Sequence, residues 1–213
     1  MAKKAGKVIA IEKDSNIVKV LKQRIKDENI ENIEVINEDA LKIEYPSFDK
    51  VVSNLPYQIS SPVTFKLLKY PFKKAILMYQ LEFAERMQAK PGTKEYSRLT
   101  VALYFRADIH IIDIVPPNAF IPQPKVKSAI IELIPQNCEE PTKIFEDTTR
   151  ALFQHRNKKV KKALIQSAHE LKSDKKELKK KLNDVDDEIL ERKVFTLTPE
   201  EILVLSKKLE AIL

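Results

Sequence analysis

Through the first two thirds of the chain, short dense apolar runs alternate with segments whose apolar residues recur every three or four positions. Lys7–Ile11 (KVIAI), Ile33–Ile36, Lys50–Ser53 and Ala75–Tyr79 read as short strands, and Ile109–Val115 and Ala129–Ile134 as two later, β-branched ones. Helical patterns lie between them. Asp14 is placed to cap a helix in which Ile17, Val20, Leu21 and Ile25 share a face. Ser61-Pro62 reads as a cap followed by proline at the first helical position, leading Val63, Leu67 and Leu68. Glu82–Ala89 and Tyr96–Ala107 are two further helices. Strands alternating with helices predict a mainly parallel sheet with helices on both faces. The last two strands, joined by a proline-rich loop without a helix, are expected to be antiparallel.

The pattern changes near PQNCEEP (135–141), and beyond it only helical signals remain. Thr198-Pro199-Glu200-Glu201 is a capping box with proline at the first helical position, leading a stripe of Ile202, Leu205, Leu209 and Ile212. The expected division is an α/β domain over residues 1–141 and a small all-helical domain over 142–213. No run of about 18 apolar residues occurs, so no membrane-spanning segment is expected.

Composition changes this picture in three places. One cysteine, Cys138, excludes an internal disulfide framework and suits a reducing cytoplasm. Lys and Arg number 38 against 31 acids, and the net charge of +7 favours a polyanionic partner. That charge gathers late in the chain. HRNKKVKKAL (155–164) interleaves His155, Arg156 and Asn157 with lysines and favours nucleic-acid contact through Arg156, Lys158, Lys159, Lys161 and Lys162. KSDKKELKKK (172–181) reads equally well as a solvated helix face. Glycine is the third anomaly: only Gly6 and Gly92 are present where average usage gives roughly 15, so this sequence holds no glycine-rich phosphate loop.

Ligands of open α/β sheets bind beyond the carboxyl ends of the strands. Glu12, Asp39 and Asn54 fall at or just past three such ends. A carboxylate there is more often a cap or turn residue, but one acid can accept both hydroxyls of a ribose and a second can accept from an adenine amino group. Three such residues in one sheet point to a nucleoside-like ligand. The third end continues Asn54-Leu55-Pro56-Tyr57. Pro56 fixes its own φ and biases Leu55 toward extended backbone. The Leu55 carbonyl and the Asn54 side-chain oxygen then offer two acceptors for the two protons of an exocyclic amine. Holding both protons favours a pyramidal nitrogen whose lone pair can attack an electrophile. Tyr57 supplies a flat face for a base taken out of its stack.

NLPY (54–57) resembles the signature of methyltransferases acting on planar amino groups. Its form is similar to that of the ribosomal RNA adenine N6-dimethyltransferases of the KsgA type and the related erythromycin-resistance methylases. EDAL (38–41), QLEFAERMQAKPGTKEYSRLTV (80–101) and VPPNAFIPQPKVKSAII (115–131) resemble further segments of that family, and FQHRNKKVKKAL resembles the helical-domain motif of its archaeal and eukaryotic branch. The resemblance implies a Rossmann-like class I methyltransferase sheet with a small C-terminal all-helical domain. It implies that Glu12 binds the ribose of S-adenosylmethionine, that Asp39 and Ala40 bind its adenine, and that Asn54 serves both cofactor and target. By the same resemblance Asn54, Leu55, Pro56 and Tyr57 hold the target adenine and Phe120 packs against it. The implied substrate is a pair of adjacent adenosines near the 3′ end of small-subunit rRNA, each methylated twice. The implied partner is the immature small ribosomal subunit, with no metal, no membrane and a monomeric enzyme.

The family pattern includes a strand and an E-x-G-x-G-x-G loop ahead of the strand equivalent to KVIAI, and neither is in this sequence. That strand would stand between the strands at 7–11 and 49–53, where unmet buried backbone groups cost about 1–3 kcal/mol each. Two expectations follow: the chain is an N-terminally shortened form, or it repairs the gap, for example by closing the two strands on each other. The competing function is a catalytically silent rRNA-binding assembly factor, or an inactive fragment. A DNA adenine methyltransferase shares the amino-group logic, but AFIPQPKV and FQHRNKK argue against it.

Overall fold

The computed structural model describes residues 1–136, 141–185 and 187–213. Cys138, and with it the middle of the 135–141 stretch, lies outside the described residues. The chain divides into two compact units, one of Met1–Phe48 with Gln58–Pro71 and one of Asp49–Tyr57 with Phe72–Leu213.

In the first unit, β1 (Val8–Ile11) and β2 (Ile33–Ile36) form a parallel pair in register Val8 to Ile33 through Ile11 to Ile36. Helix α1 (Ser15–Asp27) joins them, and Asp14 caps it as expected, accepting from the Asn16 N–H at 2.7 Å. The buried stripe of α1 differs from the expected one. Val18 is buried and Leu21 and Ile25 are half-buried, while Ile17 and Val20 are 53% and 69% exposed. A two-stranded sheet is narrow, and it covers only one stripe of the helix laid on it. Helix α2 (Ser60–Leu67) begins before the expected Ser61 cap and has no side-chain cap. Pro62 sits inside its first turn, where a backbone N–H has no partner in the helix anyway. Ser60, Val63, Thr64 and Leu67 are its buried side.

The second unit carries β3 (Lys50–Asn54), β4 (Lys74–Gln80), β5 (Ala107–Val115) and β6 (Ser128–Pro135) in the order β3-β4-β6-β5. β3 and β4 are parallel, whereas β6 runs antiparallel to both β4 and β5. The α/β class is as expected, and so is the antiparallel β5–β6 pair, but the expectation of a mainly parallel sheet is corrected. Two strand pairs are parallel and two antiparallel, because β6 returns from a helix-free loop and inserts between β4 and β5. Period-two burial builds the core of this sheet: Ala75, Leu77 and Tyr79 of β4 stand opposite Leu133, Ile131 and Ala129 of β6, all fully buried. Among the described residues β1 pairs only with β2, and β3 only with β4, so the strands at 7–11 and 49–53 do not close on each other.

Helices α3 (Leu81–Met87) and α4 (Arg98–Tyr104) follow β4. Helix α4 is shorter than the sequence pattern suggests, and Tyr96 lies buried ahead of it, its hydroxyl donating to the Leu197 carbonyl at 2.8 Å. After β6 come α5 (Lys143–Phe153), α6 (Val160–Gln166), α7 (Lys175–Asn183) and α8 (Pro199–Ile212). Phe145, Leu152, Leu164, Leu178, Ile202, Leu205 and Leu209 form their core together with Tyr96 and Val101. The capping box of α8 is formed as expected, with the Glu201 carboxylate accepting from the Thr198 N–H at 2.8 Å and the Thr198 hydroxyl accepting in return from the Glu201 N–H at 3.2 Å. None of the described helices is long and apolar enough to cross a membrane.

Candidate active site

The acids expected at strand ends come together in the first unit. Ile11 and Ile36 are the last paired residues of β1 and β2, so Glu12 and Asn37 leave the sheet side by side. One Glu12 carboxylate oxygen accepts the Asp14 N–H at 2.8 Å. Asp39 uses one oxygen to accept the Leu41 N–H at 2.9 Å and the other to meet the Lys13 ammonium at 3.0 Å. The Leu41 N–H, and after it Lys13, hold the Asp39 carboxyl below its ordinary value. Ala40 follows directly, its carbonyl accepting the Tyr45 hydroxyl at 2.8 Å. Both acids are half-buried. A carboxylate with one lone pair on a backbone N–H keeps others for hydroxyl or amino donors, so the donor-rich face of an adenosine suits this pair.

Asn37 is a residue that sequence reasoning missed. Its amide donates to the Glu12 carbonyl at 3.0 Å and to the Lys13 carbonyl at 3.1 Å, and its oxygen accepts the Ser15 hydroxyl at 2.9 Å. Three bonds thereby tie the turn bearing Glu12 to the end of β2. An asparagine just past a strand is the only signal the sequence carries, and it is a weak one.

The target-base candidates lie in the second unit. Asn54 is the last residue of β3, paired with Met78 of β4. Its side chain is exposed, while the Leu55 side chain is buried and anchors the segment. Pro56 leads into a single 3-10 turn, Tyr57–Ile59. The half-buried Tyr57 places its hydroxyl 2.7 Å from that of Ser128, which is fully buried at the start of β6. Ser128 pairs with both Gln80, the end of β4, and Val115, the end of β5. The 116–127 loop therefore springs from the same end of the sheet that bears Asn54. Phe120 lies in that loop, half-buried, just after the turn Pro117–Ala119. The Lys127 carbonyl fastens the loop by accepting the Leu81 N–H at 3.0 Å.

The basic candidates sit at the start of α6 and are of two kinds. Lys162 is exposed and Lys161 half-buried, Lys159 pairs with Glu191 at 2.7 Å, and Lys158 reaches the Gln166 side chain. Arg156 is engaged internally. Its guanidinium donates to the carbonyls of Lys94 at 2.7 Å and Thr93 at 3.1 Å and lies over the Phe195 ring at 5.7 Å.

A profile of the family described as ribosomal RNA adenine dimethylase matches residues 1–198. The chain is similar to the "probable ribosomal RNA small subunit methyltransferase A" of Methanosphaera stadtmanae, with 69% identity over 210 residues that cover 99% of this chain and 78% of that protein. Among solved structures it resembles a dimethyladenosine transferase from Plasmodium falciparum, with TM-score 0.79 and 31% identity over 97% of this chain and 83% of that one. It also resembles the 23S rRNA methyltransferase ErmE, with TM-score 0.65 and 27% identity over 98% and 84% of the two chains. By sequence and by fold, the chain belongs to the ribosomal RNA adenine dimethylase family of S-adenosylmethionine-dependent methyltransferases.

Proposed function

We propose that the chain dimethylates N6 of two adjacent adenosines near the 3′ end of small-subunit rRNA, acting in the cytoplasm as a monomer on the immature small subunit. The observation that carries this reading is the end of β3, where an exposed Asn54 side chain is followed by the rigid Leu55-Pro56 step and by a Tyr57 ring fixed at its tip. S-adenosylmethionine, when bound, supplies an electrophilic methyl carbon. Glu12 would accept from its ribose hydroxyls and Asp39, beside Ala40, from its adenine amino group. Asn54 and the Leu55 carbonyl accept the two N6 protons of the target and turn its lone pair outward. Tyr57 stacks on the flipped base, and Phe120 covers it from the loop. The proton leaves after transfer, so no strong base is required. Residues 142–213 act as the helical domain that docks on the particle, with Lys158, Lys159, Lys161 and Lys162 at its RNA side and Arg156 behind them, holding the 90–94 loop. Incubation with labelled S-adenosylmethionine and small subunits lacking the modification tests this. Label transfer lost in Asn54→Ala supports it, and no transfer by the parent protein refutes it.

A second reading is favoured by the glycine content, since Gly6 and Gly92 alone make no glycine-rich loop for the cofactor. On that reading the chain is a catalytically silent rRNA-binding assembly factor. Binding to immature subunits without uptake of S-adenosylmethionine in calorimetry distinguishes it.

A further inference from the structure

Three segments of the second unit, distant in sequence, meet in one seam. The Val194 N–H donates to the Lys158 carbonyl at 3.0 Å and the Val160 N–H to the Arg192 carbonyl at 2.9 Å, setting Lys159 opposite Lys193 as an isolated antiparallel pair. The Phe195 N–H donates to the Arg156 carbonyl at 3.1 Å, and the Phe195 carbonyl accepts the Gly92 N–H at 2.7 Å. Arg156 completes the junction by gripping the Thr93 and Lys94 carbonyls. Loop 90–94, turn 156–160 and segment 192–195 thus form one hydrogen-bonded patch. Each contributes exposed lysines: Lys90 and Lys94, Lys158 and Lys159, and Lys193.

The Lys159–Lys193 pair is the informative part. The flanking hydrogen bonds bracket it rather than join it, and in that arrangement facing side chains approach most closely. Like charges directly opposite each other destabilise such a pair. Compensation is one-sided. Glu191 pairs with Lys159 at 2.7 Å, while Lys193, Lys90 and Lys94 have no ion-pair partner among the described residues. Lysines scattered for solubility would be spaced apart, whereas here two face each other and the backbone of a third, Lys94, is held to the same patch by Arg156.

We propose that Lys94 and Lys193, together with Lys159, form a phosphate-binding seam for the backbone of the substrate RNA, and that Arg156 is the positioning residue that assembles it. The inference rests on the rRNA reading and deepens it. Contacts of this kind set the register and orientation of a nucleic acid without reading its bases.

The test is anisotropy titration of the full chain with a fluorescein-labelled RNA hairpin of the small-subunit 3′-terminal stem-loop, over a range of salt. Each phosphate contact contributes about 0.7–0.9 to the slope of log affinity against log salt, so Lys94→Gln/Lys193→Gln lowers that slope by about 1.4–1.8. Lys19→Gln/Lys22→Gln, exposed on α1, leaves it unchanged. Lys193→Gln alone also raises the melting temperature, because it removes the facing charge, a gain that a purely structural lysine would not give. An unchanged slope in the double variant, with the parent binding normally, overturns the seam and leaves the rRNA reading standing. A parent protein that binds immature small subunits but not the hairpin overturns the seam alone, and one that binds neither at any salt overturns the rRNA reading and the seam with it.

Discussion

The hydroxyls of Tyr57 and Ser128 lie 2.7 Å apart across 71 residues of sequence. The relationship is asymmetric: Ser128 is fully buried and Tyr57 half-buried. A ring held at its tip by the last rung of the β4–β6 ladder is oriented in advance, so under the proposed function stacking a base on it costs little ordering. Tyr57→Phe leaves a buried serine hydroxyl unpaired, which costs about 1–3 kcal/mol, whereas Ser128→Ala leaves a tyrosine hydroxyl that water can reach and costs about 0.5–1.5 kcal/mol. In the double variant both partners are gone, so it is more stable than the sum of the singles predicts. Urea denaturation of the four proteins measures this, and strictly additive losses would show that the two hydroxyls do not interact. Methylation falls in both singles.

The Asn37 amide makes a second prediction. It is exposed, so its loss costs the fold little, but the Glu12 turn hangs on it. Asn37→Ala weakens S-adenosylmethionine binding with little change in melting temperature. Asn37→Asp weakens it further, since a carboxylate faces two carbonyls and adds negative charge between Glu12 and Asp39. Calorimetric titration reads both, and an Asn37→Asp protein with parental affinity removes Asn37 from the site.

What was legible in the sequence was whatever depended on local chemistry. The capping box at Thr198, the Asp14 cap and the ends of β1, β2 and β3 follow from spacing alone. The NLPY step is recognisable because Pro56 restricts its own neighbourhood whatever the fold does. Non-local partners were not legible. Nothing near Ser128 in sequence announces Tyr57, and nothing in HRNKK shows that its arginine turns inward to Lys94 and Thr93 while its lysines stay outside. The position of β6 between β4 and β5 is likewise a matter of topology, invisible to hydrophobic period. Ile17 and Val20 satisfy the helical spacing and are nonetheless exposed, because burial also depends on the width of the sheet beneath.

Asp39 gives the pH dependence. Its carboxyl lies below its ordinary value because of the Leu41 N–H first and Lys13 second. A depressed carboxylate contributes stability that is fully present above the unfolded value and is lost as pH falls through the folded one. The Lys13–Asp39 contact therefore contributes a constant amount from about pH 5 to 8 and fades only in acid below about 3.9, the ordinary aspartate value. Lys13→Ala raises the Asp39 midpoint only part of the way, since the larger cause remains. Carbon-13 titration of the side-chain carboxyl tests this, and a full return to the ordinary value in Lys13→Ala would contradict it.

Arg156 makes the sharpest distinction between architecture and RNA contact. Two guanidinium nitrogens serve adjacent carbonyls, the guanidinium carbon lies over the Phe195 ring, and Nε is buried with no hydrogen-bond partner among the described residues. Hydrogen bonds from a charged group contribute about 1.5–3 kcal/mol, so Arg156→Ala destabilises the protein by about that amount. Arg156→Lys recovers only part, because an ammonium cannot reproduce a forked, planar contact. The loss is local to loop 90–94, which then opens more often than the unit as a whole unfolds. Trypsin consequently cuts after Lys94 faster in Arg156→Ala than in the parent, without RNA present. Equal cleavage rates in the two proteins, with weakened RNA binding in the variant, would return Arg156 to the RNA surface and leave loop 90–94 to be held by Gly92 and Phe195 alone.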